Sequence, residues 1–296
     1  LALGAGIAAY AMLQSNAPGA IAITPDGGAG VGVLIALIVL LGVPHGALAF
    51  SLARRLFQLR RGQAAYHVAF LLGYLLLAGL MVALWLAVPA ISLGLFLTLS
   101  VWHFSGDWSG VLPRHLALAG ALCTLAIPTW FHGEAVQSIF AFLYVEPAAA
   151  AWLAQALAWS GVPAAIVVLA SLPRFAGSQW RFFAELLALG VSGALLSPLA
   201  YFALYFCGLH SPRHIARCFA RFRPSSDFTT VIESALILLA TLVLGAVLWL
   251  WLPAGPLPVT GLAWVFIGLF ALTVPHMLLV DVCMVRAPDC TGQSNG

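Results

Sequence analysis

The segment Tyr205-Phe-Cys-Gly-Leu-His210-Ser-Pro-Arg-His214 joins an apolar run on its N-terminal side to an arginine-rich run on its C-terminal side. Its two histidines are four residues apart, so a helix would place both imidazoles one turn apart on the same face. Burying two imidazoles at a membrane costs free energy unless something binds them, and a metal ion is the usual partner. The segment therefore predicts a membrane helix that carries part of a metal site.

The composition of the whole chain indicates a membrane protein. The 296 residues are 63% hydrophobic and only 7% charged, and the mean hydropathy is +1.05. A water-soluble domain of this size would need more charged residues to cover its surface. Several apolar runs also reach the length of about 18 residues that crosses a bilayer. We therefore predict an all-α, polytopic membrane bundle that forms a single domain over residues 1–296.

The arginines fix the predicted topology. Eleven of the twelve fall on one side if the N-terminus is inside, and only Arg213 lies within a span. Merging the two spans that meet at Ser197-Pro198 would move Arg217 and its neighbours to the opposite face, so we predict a break there. Ala135–Tyr144 is predicted to form a short interfacial helix on the outer side. The first span is interpreted as a membrane helix rather than a cleaved signal. About ten spans (eight to ten) are predicted, several of them kinked at proline: 1–14, 30–53, 66–88, 90–104, 115–131, 148–171, 181–197, 199–220, 229–252 and 261–285.

The charged residues and cysteines exclude some functions. The net charge of +3 is too small to suggest nucleic-acid binding. The chain has no lysine, so it cannot hold retinal as a Schiff base in the manner of a photoreceptor. The five cysteines are odd in number and form no CxxC pair, which indicates reduced thiols in the core.

The histidines of four predicted spans share one depth in the membrane. His45, His103, His214 and His276 each precede an inner-side arginine by nine to eleven residues, and His210 lies one turn deeper. At about 1.5 Å per helical residue, each imidazole lies roughly 13–17 Å from the inner charge boundary. Independent histidines would have no reason to share one level, so we predict that these side chains converge.

Two carboxylates and several aromatic residues flank these histidines. Asp107 follows His103 by four residues, and Asp281 follows His276 by five. Either carboxylate could orient an imidazole, or could balance an interfacial arginine. The aromatic residues predict a slot for a lipophilic conjugated polyene: Trp102, Phe104, Trp108, Tyr201, Phe202, Tyr205, Phe206 and Phe219.

An all-imidazole site suits zinc, copper, iron or nickel. The chain contains one HxxxH and no adjacent histidine pair, so one metal ion with four imidazole ligands fits better than a two-iron centre. Haem held by two facing histidines is an alternative that leaves the other histidines unexplained. A transporter for divalent metals is a further alternative, which the scarcity of carboxylates within the spans disfavours.

Four motifs, taken together, resemble one known family. Gly42-Val-Pro-His45-Gly-Ala-Leu, Trp102-His103-Phe104, His210-Ser-Pro-Arg-His214 and Pro275-His276-Met resemble, in order and approximate spacing, the Brp/Blh family of membrane-bound β-carotene 15,15′-dioxygenases. The resemblance runs from about residue 42 to about residue 281. It implies cleavage of the central double bond of β-carotene by iron(II) and O₂, which gives two all-trans-retinal molecules. It also implies a multi-pass protein of the bacterial inner membrane, surrounded by lipid, whose product supplies a microbial rhodopsin.

The resemblance implies roles for particular residues. The iron ligands would be His45, His103, His210 and His214. His276, Asp107 and Asp281 would be either an additional ligand or residues that support the ligands, and we expect His276→Ala to have the smaller effect. Substrate contacts are predicted at Trp102, Phe104, Tyr205 and Phe206. The chain departs from the family pattern at Ala49 and at Ser105, and only Glu134 remains of an acidic pair near His132. A haem- or carotenoid-binding membrane protein without turnover is the second interpretation.

Overall fold

The computed structural model describes residues 64–222 and 257–279, together with Ala36, Ile38 and Leu239. Within these residues the chain forms helices joined by short connections and contains no strand, which confirms the predicted all-α class. Three predicted spans, near 1–14, 30–53 and 229–252, lie outside the described residues apart from those three positions. His45 and Asp281 also lie outside them.

The helices correspond closely to the apolar runs of the sequence. Four of them, α1 to α4, are long and apolar enough to cross a membrane. The number of ten spans stays a prediction. The described helices are α1 (Ala64–Ala87), α2 (Pro89–Ser105), α3 (Arg114–Phe142), α4 (Pro147–Ser171), α5 (Gln179–Leu195), α6 (Pro198–Tyr205), α7 (Ser211–Phe222) and α8 (Leu257–Met277).

Proline and capping residues determine where several helices begin. A proline lacks the backbone N–H that the first helical residue would leave unpaired, and α2, α4 and α6 all begin at a proline. The carboxylate of Glu146 caps α4, and the hydroxyl of Ser197 accepts from the backbone N–H of Ala200. Because α5 ends at Leu195 and α6 begins at Pro198, the predicted break at this point is confirmed.

Helix α3 contains a kink that separates two helical segments. The sequence predicts a span over 115–131 followed by a separate helix over Ala135–Tyr144, and α3 runs from Arg114 to Phe142 with a break between these two parts. At His132 the backbone leaves the helical conformation, with φ −136° and ψ 44°. The predicted separation of the two segments is therefore present at His132, while the interfacial position of the second segment stays a prediction.

The predicted span 199–220 is not a continuous α-helix. Between α6 and α7 the residues Phe206–His210 form a wider, π-helical turn. Pro212 lies just after this turn, and its missing N–H and its ring both oppose a regular bond to the carbonyl four residues earlier. Such turns are frequent at functional sites. This turn ends at His210, the first of the two histidines in the segment Tyr205–His214.

The described helices pack around α3 and leave apolar side chains on the outside. Helices α2, α4 and α5 all contact α3, while α8 packs against α1. Gly193 of α5 lies directly on the side chain of Ile127 in α3, where an added Cβ would have no room. On the outer surface Leu76 of α1 is 77% exposed and Trp159 of α4 is 74% exposed. An apolar surface of this kind suits contact with lipid.

Candidate metal centre

His103 lies in the last turn of α2, on the face that the helix buries. Its side chain is buried, and burial of an imidazole costs free energy unless it has a polar partner. The buried residues of α2 recur at three- and four-residue intervals, as expected for one face of a helix. They are Ser92, Leu93, Phe96, Ser100, His103 and Phe104. The pattern that packs α2 into the bundle thus directs His103 into the interior.

His210 and His214 lie on the π-helical turn and on α7. Both imidazoles are buried, and their ring centroids are 5.8 Å apart with an interplanar angle of 30°. The ring of His210 also stacks on Phe206, which is four residues earlier, at a centroid distance of 5.6 Å. The predicted one-turn separation of the two imidazoles is present in the structure, on a backbone that is locally wider than an α-helix.

His276 lies near the end of α8, directly after Pro275, and its imidazole is buried beside that of His214. The two Nε2 atoms are 3.2 Å apart. Two nitrogens that bind one ion at about 2.1 Å, with an angle of roughly 90–110° between them, are about 3.0–3.4 Å apart. The observed distance therefore lies within the range for two ligands of one metal ion.

His103 completes a group of three with His214 and His276. One ring nitrogen from each lies within 4.8 Å of the others, and all three side chains are buried. A hydrogen bond alone would account for the 3.2 Å between His214 and His276, but it would not require a third imidazole so close. The donor set, three imidazoles with no cysteine and no carboxylate, suits iron, copper, zinc or nickel. These residues fit a metal ion.

His210 adjoins this group and makes a different contact. Its ring centroid is 5.0 Å from that of His103. Its Nδ1 lies 3.0 Å from Oδ2 and 3.1 Å from Oδ1 of Asp107. With Nδ1 directed at the carboxylate, Nε2 is the ring nitrogen that remains for a metal ion or another partner.

Asp107 lies in a short 3₁₀ turn, Gly106–Trp108, that follows α2. Its side chain is completely buried. Besides the contact with His210, it accepts a hydrogen bond from the Tyr205 hydroxyl at 2.9 Å and one from Nη2 of Arg217 at 2.7 Å. The carboxylate thus links the end of α2 to α6 and α7.

The remaining sequence-predicted residues divide into those near the histidines and those away from them. Phe104 and Tyr205 are buried, with ring centroids 4.6 Å and 6.2 Å from that of His210. Trp102 is 47% exposed and lies under the guanidinium of Arg114, so it faces away from the group. Phe206 stacks on Phe202 as well as on His210.

Two other described histidines lie apart from this group. His115 is exposed in the first turn of α3, and His132 lies at the bend of that helix. Within the described residues, the converging group contains neither of them.

The contact of Arg217 with Asp107 was not predicted from the sequence, in which Arg217 was placed on the inner side. The spacing of Arg217 from the two histidines could have indicated that it lies near them. Arg217 follows His210 by seven residues and His214 by three, so all three lie on one face of a helix.

An apolar cavity reaches the aromatic residues that pack against His210. It encloses about 790 Å³ of empty space, including its open mouth, and Phe104 and Tyr205 form part of its wall. Along α2 its lining extends from Leu93 to Phe104, which is about 16 Å at 1.5 Å per residue. Helices α3, α4, α6 and α8 supply the other walls.

The hydroxyl groups in this wall are mostly engaged with the protein. Four of the five hydroxyls that line the cavity donate to oxygen atoms of the chain. The Tyr201 hydroxyl, for example, donates to the carbonyl of Thr124 at 2.8 Å. The cavity therefore presents mainly carbon, which suits an apolar ligand.

Comparisons with known proteins identify similar proteins over most of the chain. A family model described as "Beta-carotene 15,15'-dioxygenase" matches residues 36–284. The chain is 32% identical over 257 residues to a "Beta-carotene 15,15'-dioxygenase" of uncultured marine bacterium 66A03, a match that covers 83% of this chain and 91% of that protein. It is 28% identical over 291 residues to a "Probable beta-carotene 15,15'-dioxygenase Blh" of Halobacterium salinarum, covering 83% and 82% of the two chains. No solved structure matches the chain.

Proposed function

Because this chain belongs to the Brp/Blh family of β-carotene 15,15′-dioxygenases, we propose that it is a membrane oxygenase that cleaves β-carotene. The reaction breaks the central 15,15′ double bond and adds one oxygen atom of O₂ to each new end, which gives two molecules of all-trans-retinal. The observation that carries this proposal is the group of three buried imidazoles close to an apolar cavity. A metal site and an apolar binding space are the two parts that oxidation of a hydrocarbon requires.

Iron(II) is the proposed metal, and His103, His214 and His276 are the residues that would hold it. His210 lies beside them, with its ring centroid 5.0 Å from that of His103 and its Nδ1 directed at Asp107. His45, outside the described residues, stays a predicted ligand. Bound iron(II) would supply the redox chemistry with O₂ that the side chains of the protein cannot provide.

The protein's own residues bind and orient the hydrocarbon. The cavity accepts one arm of the polyene, and its carbon-rich wall excludes water from the reacting bond. Phe104 and Tyr205, which belong both to the cavity wall and to the surroundings of His210, direct that arm toward the imidazoles. A lipophilic substrate of this kind enters from the bilayer, and the retinal released there is available to a microbial rhodopsin in the same membrane.

Production of the chain in a bacterium that accumulates β-carotene tests the proposal directly. We expect β-carotene to fall and retinal to appear in the membrane extract, with two molecules of retinal for each β-carotene consumed. A non-catalytic carrier would instead retain an unchanged carotenoid spectrum after purification in O₂ and iron(II), and a haem protein would show a Soret band. Either of these spectra without retinal formation would overturn the proposal.

Filling the cavity is expected to reduce retinal formation without loss of the metal. Ser100 is buried in the cavity wall of α2, so Ser100→Phe places a ring where the polyene would lie. Displacing a substrate by about 1 Å lowers the reaction rate by up to about 100-fold. We therefore expect Ser100→Phe to form about 10- to 100-fold less retinal per bound iron. The measurements are retinal formed per bound iron and iron content.

Thr98→Phe provides the matched control for this variant. Thr98 lies on the same helix two residues earlier, is exposed, and is absent from the cavity wall. The same added ring at Thr98 should leave turnover near that of the parent chain. Equal losses in the two variants would show that added bulk on α2, rather than occupation of the cavity, causes the effect.

A further inference from the structure

The buried carboxylate of Asp107 has three partners, one each on α6, the π-helical turn and α7. Tyr205 and Arg217 each donate one hydrogen bond to it, and His210 presents Nδ1 to both of its oxygens. A fully buried carboxylate is costly unless it is paired and hydrogen-bonded. Here both oxygens are engaged with the protein.

We propose that Asp107 is a positioning residue for His210, resting on the proposed function. The carboxylate holds the His210 ring by Nδ1, so that Nε2 alone faces the metal site. In this role Asp107 is not itself a metal ligand.

The chemistry of the contact determines which ring nitrogen is available. Tyr205 donates to Oδ2 of Asp107 and Arg217 donates to Oδ1, so both oxygens of the carboxylate act as acceptors. His210 must therefore donate from Nδ1, which leaves the lone pair on Nε2. Carboxylates that hold a metal-binding imidazole in this way fix both its tautomer and its orientation.

The local backbone of the turn makes room for this arrangement. Gly106 precedes Asp107, and a Cβ at that position would come within 2.8 Å of Nη1 of Arg217. The guanidinium therefore lies against the turn itself on its way to the carboxylate. A side chain at this position would displace the guanidinium from its place against the turn.

A second ion pair to α7 allows the positioning of His210 by Asp107 to be distinguished from a purely structural role, in which the carboxylate only holds α7 in place. Glu185 of α5 binds Arg213 at the start of α7 and accepts from Nε1 of Trp108 at 3.2 Å. Arg213 and Arg217 are four residues apart, so both acidic residues hold the same face of α7. Asp107 contacts His210, whereas Glu185 contacts the side chains of Arg181, Arg213 and Trp108.

The test compares Asp107→Asn with Glu185→Gln in the purified full chain. Each change removes one charge, keeps the size of the side chain and breaks one ion pair to α7. We measure the dissociation constant of iron(II) by competition with a chelator under anaerobic conditions, and the thermal midpoint of the metal-free protein. We expect Asp107→Asn to weaken iron binding by about 10- to 100-fold, as for other residues that orient metal ligands. Glu185→Gln should bind iron like the parent chain.

Tyr205→Phe is a milder variant for the case that Asp107→Asn does not fold. It removes one hydrogen bond from the carboxylate and keeps the ring, so a smaller loss of iron affinity is expected. Equal iron affinity of parent and variant in either case, or an equal loss in Glu185→Gln, would overturn the inference. A parent chain that binds no iron would instead refute the proposed function, so the two failures are distinguishable.

Discussion

The His214→Ala variant is expected to form at least about 100-fold less retinal than the parent chain and to retain little iron. His214 lies between the other members of the group, with its Nε2 3.2 Å from that of His276 and its ring centroid 5.3 Å from that of His103. Residues that only orient a metal ligand already contribute about 10- to 100-fold in affinity or activity, so loss of a ligand should cost more. The measurements are retinal by chromatography and iron per protein by elemental analysis.

His115→Ala is the matched control for this prediction. It removes the same imidazole from an exposed position in the first turn of α3, away from the group. We expect parent-like retinal formation and iron content. Because a buried imidazole also contributes to packing, the thermal midpoint of metal-free His214→Ala must be compared with that of the parent chain. A folded His214→Ala protein with full turnover would refute the role of His214 in the metal site.

Helix positions were the part of the fold that the sequence predicted best. An apolar run about as long as a bilayer is thick has few alternatives to a helix, since every backbone polar group must be satisfied within it. Proline then locates the starts, as at Pro89 and Pro147, but its effect within a run depends on neighbouring helices. At Pro128 the helix continues, and its kink lies four residues later at His132. The turn before Pro212 widens instead.

The convergence of His103, His214 and His276 could be predicted from their common depth in the membrane. That depth follows from the helical rise per residue and the positions of the inner-side arginines. Depth alone does not determine in which direction each side chain projects around its helix. The contact of His210 with Asp107 depends on that rotation and on the 3₁₀ turn after α2. The sequence therefore left the role of Asp107 open between an imidazole partner and an interfacial charge.

For the His276→Ala variant, the sequence and the structure suggest different losses of iron affinity and retinal formation. From the sequence, His276 was expected to have the smaller effect, because the family resemblance assigned the ligands to His45, His103, His210 and His214. In the structure the nitrogens of His276, His214 and His103 lie within 4.8 Å of one another. We therefore expect His276→Ala to lose iron affinity and retinal formation as strongly as His214→Ala, by at least about 100-fold.

A supporting role for His276 predicts a different result from the role of ligand. If His276 only donates a hydrogen bond to His214, its loss should weaken iron binding by about 10-fold and leave substantial turnover at saturating iron. Leu278→Ala, which truncates an exposed residue two positions later, controls for disturbance of the end of α8. Parent-like iron affinity in His276→Ala would exclude it as a ligand. It would also mean that the 3.2 Å between the two Nε2 atoms is a hydrogen bond between neighbouring imidazoles, with His210 or His45 completing the site.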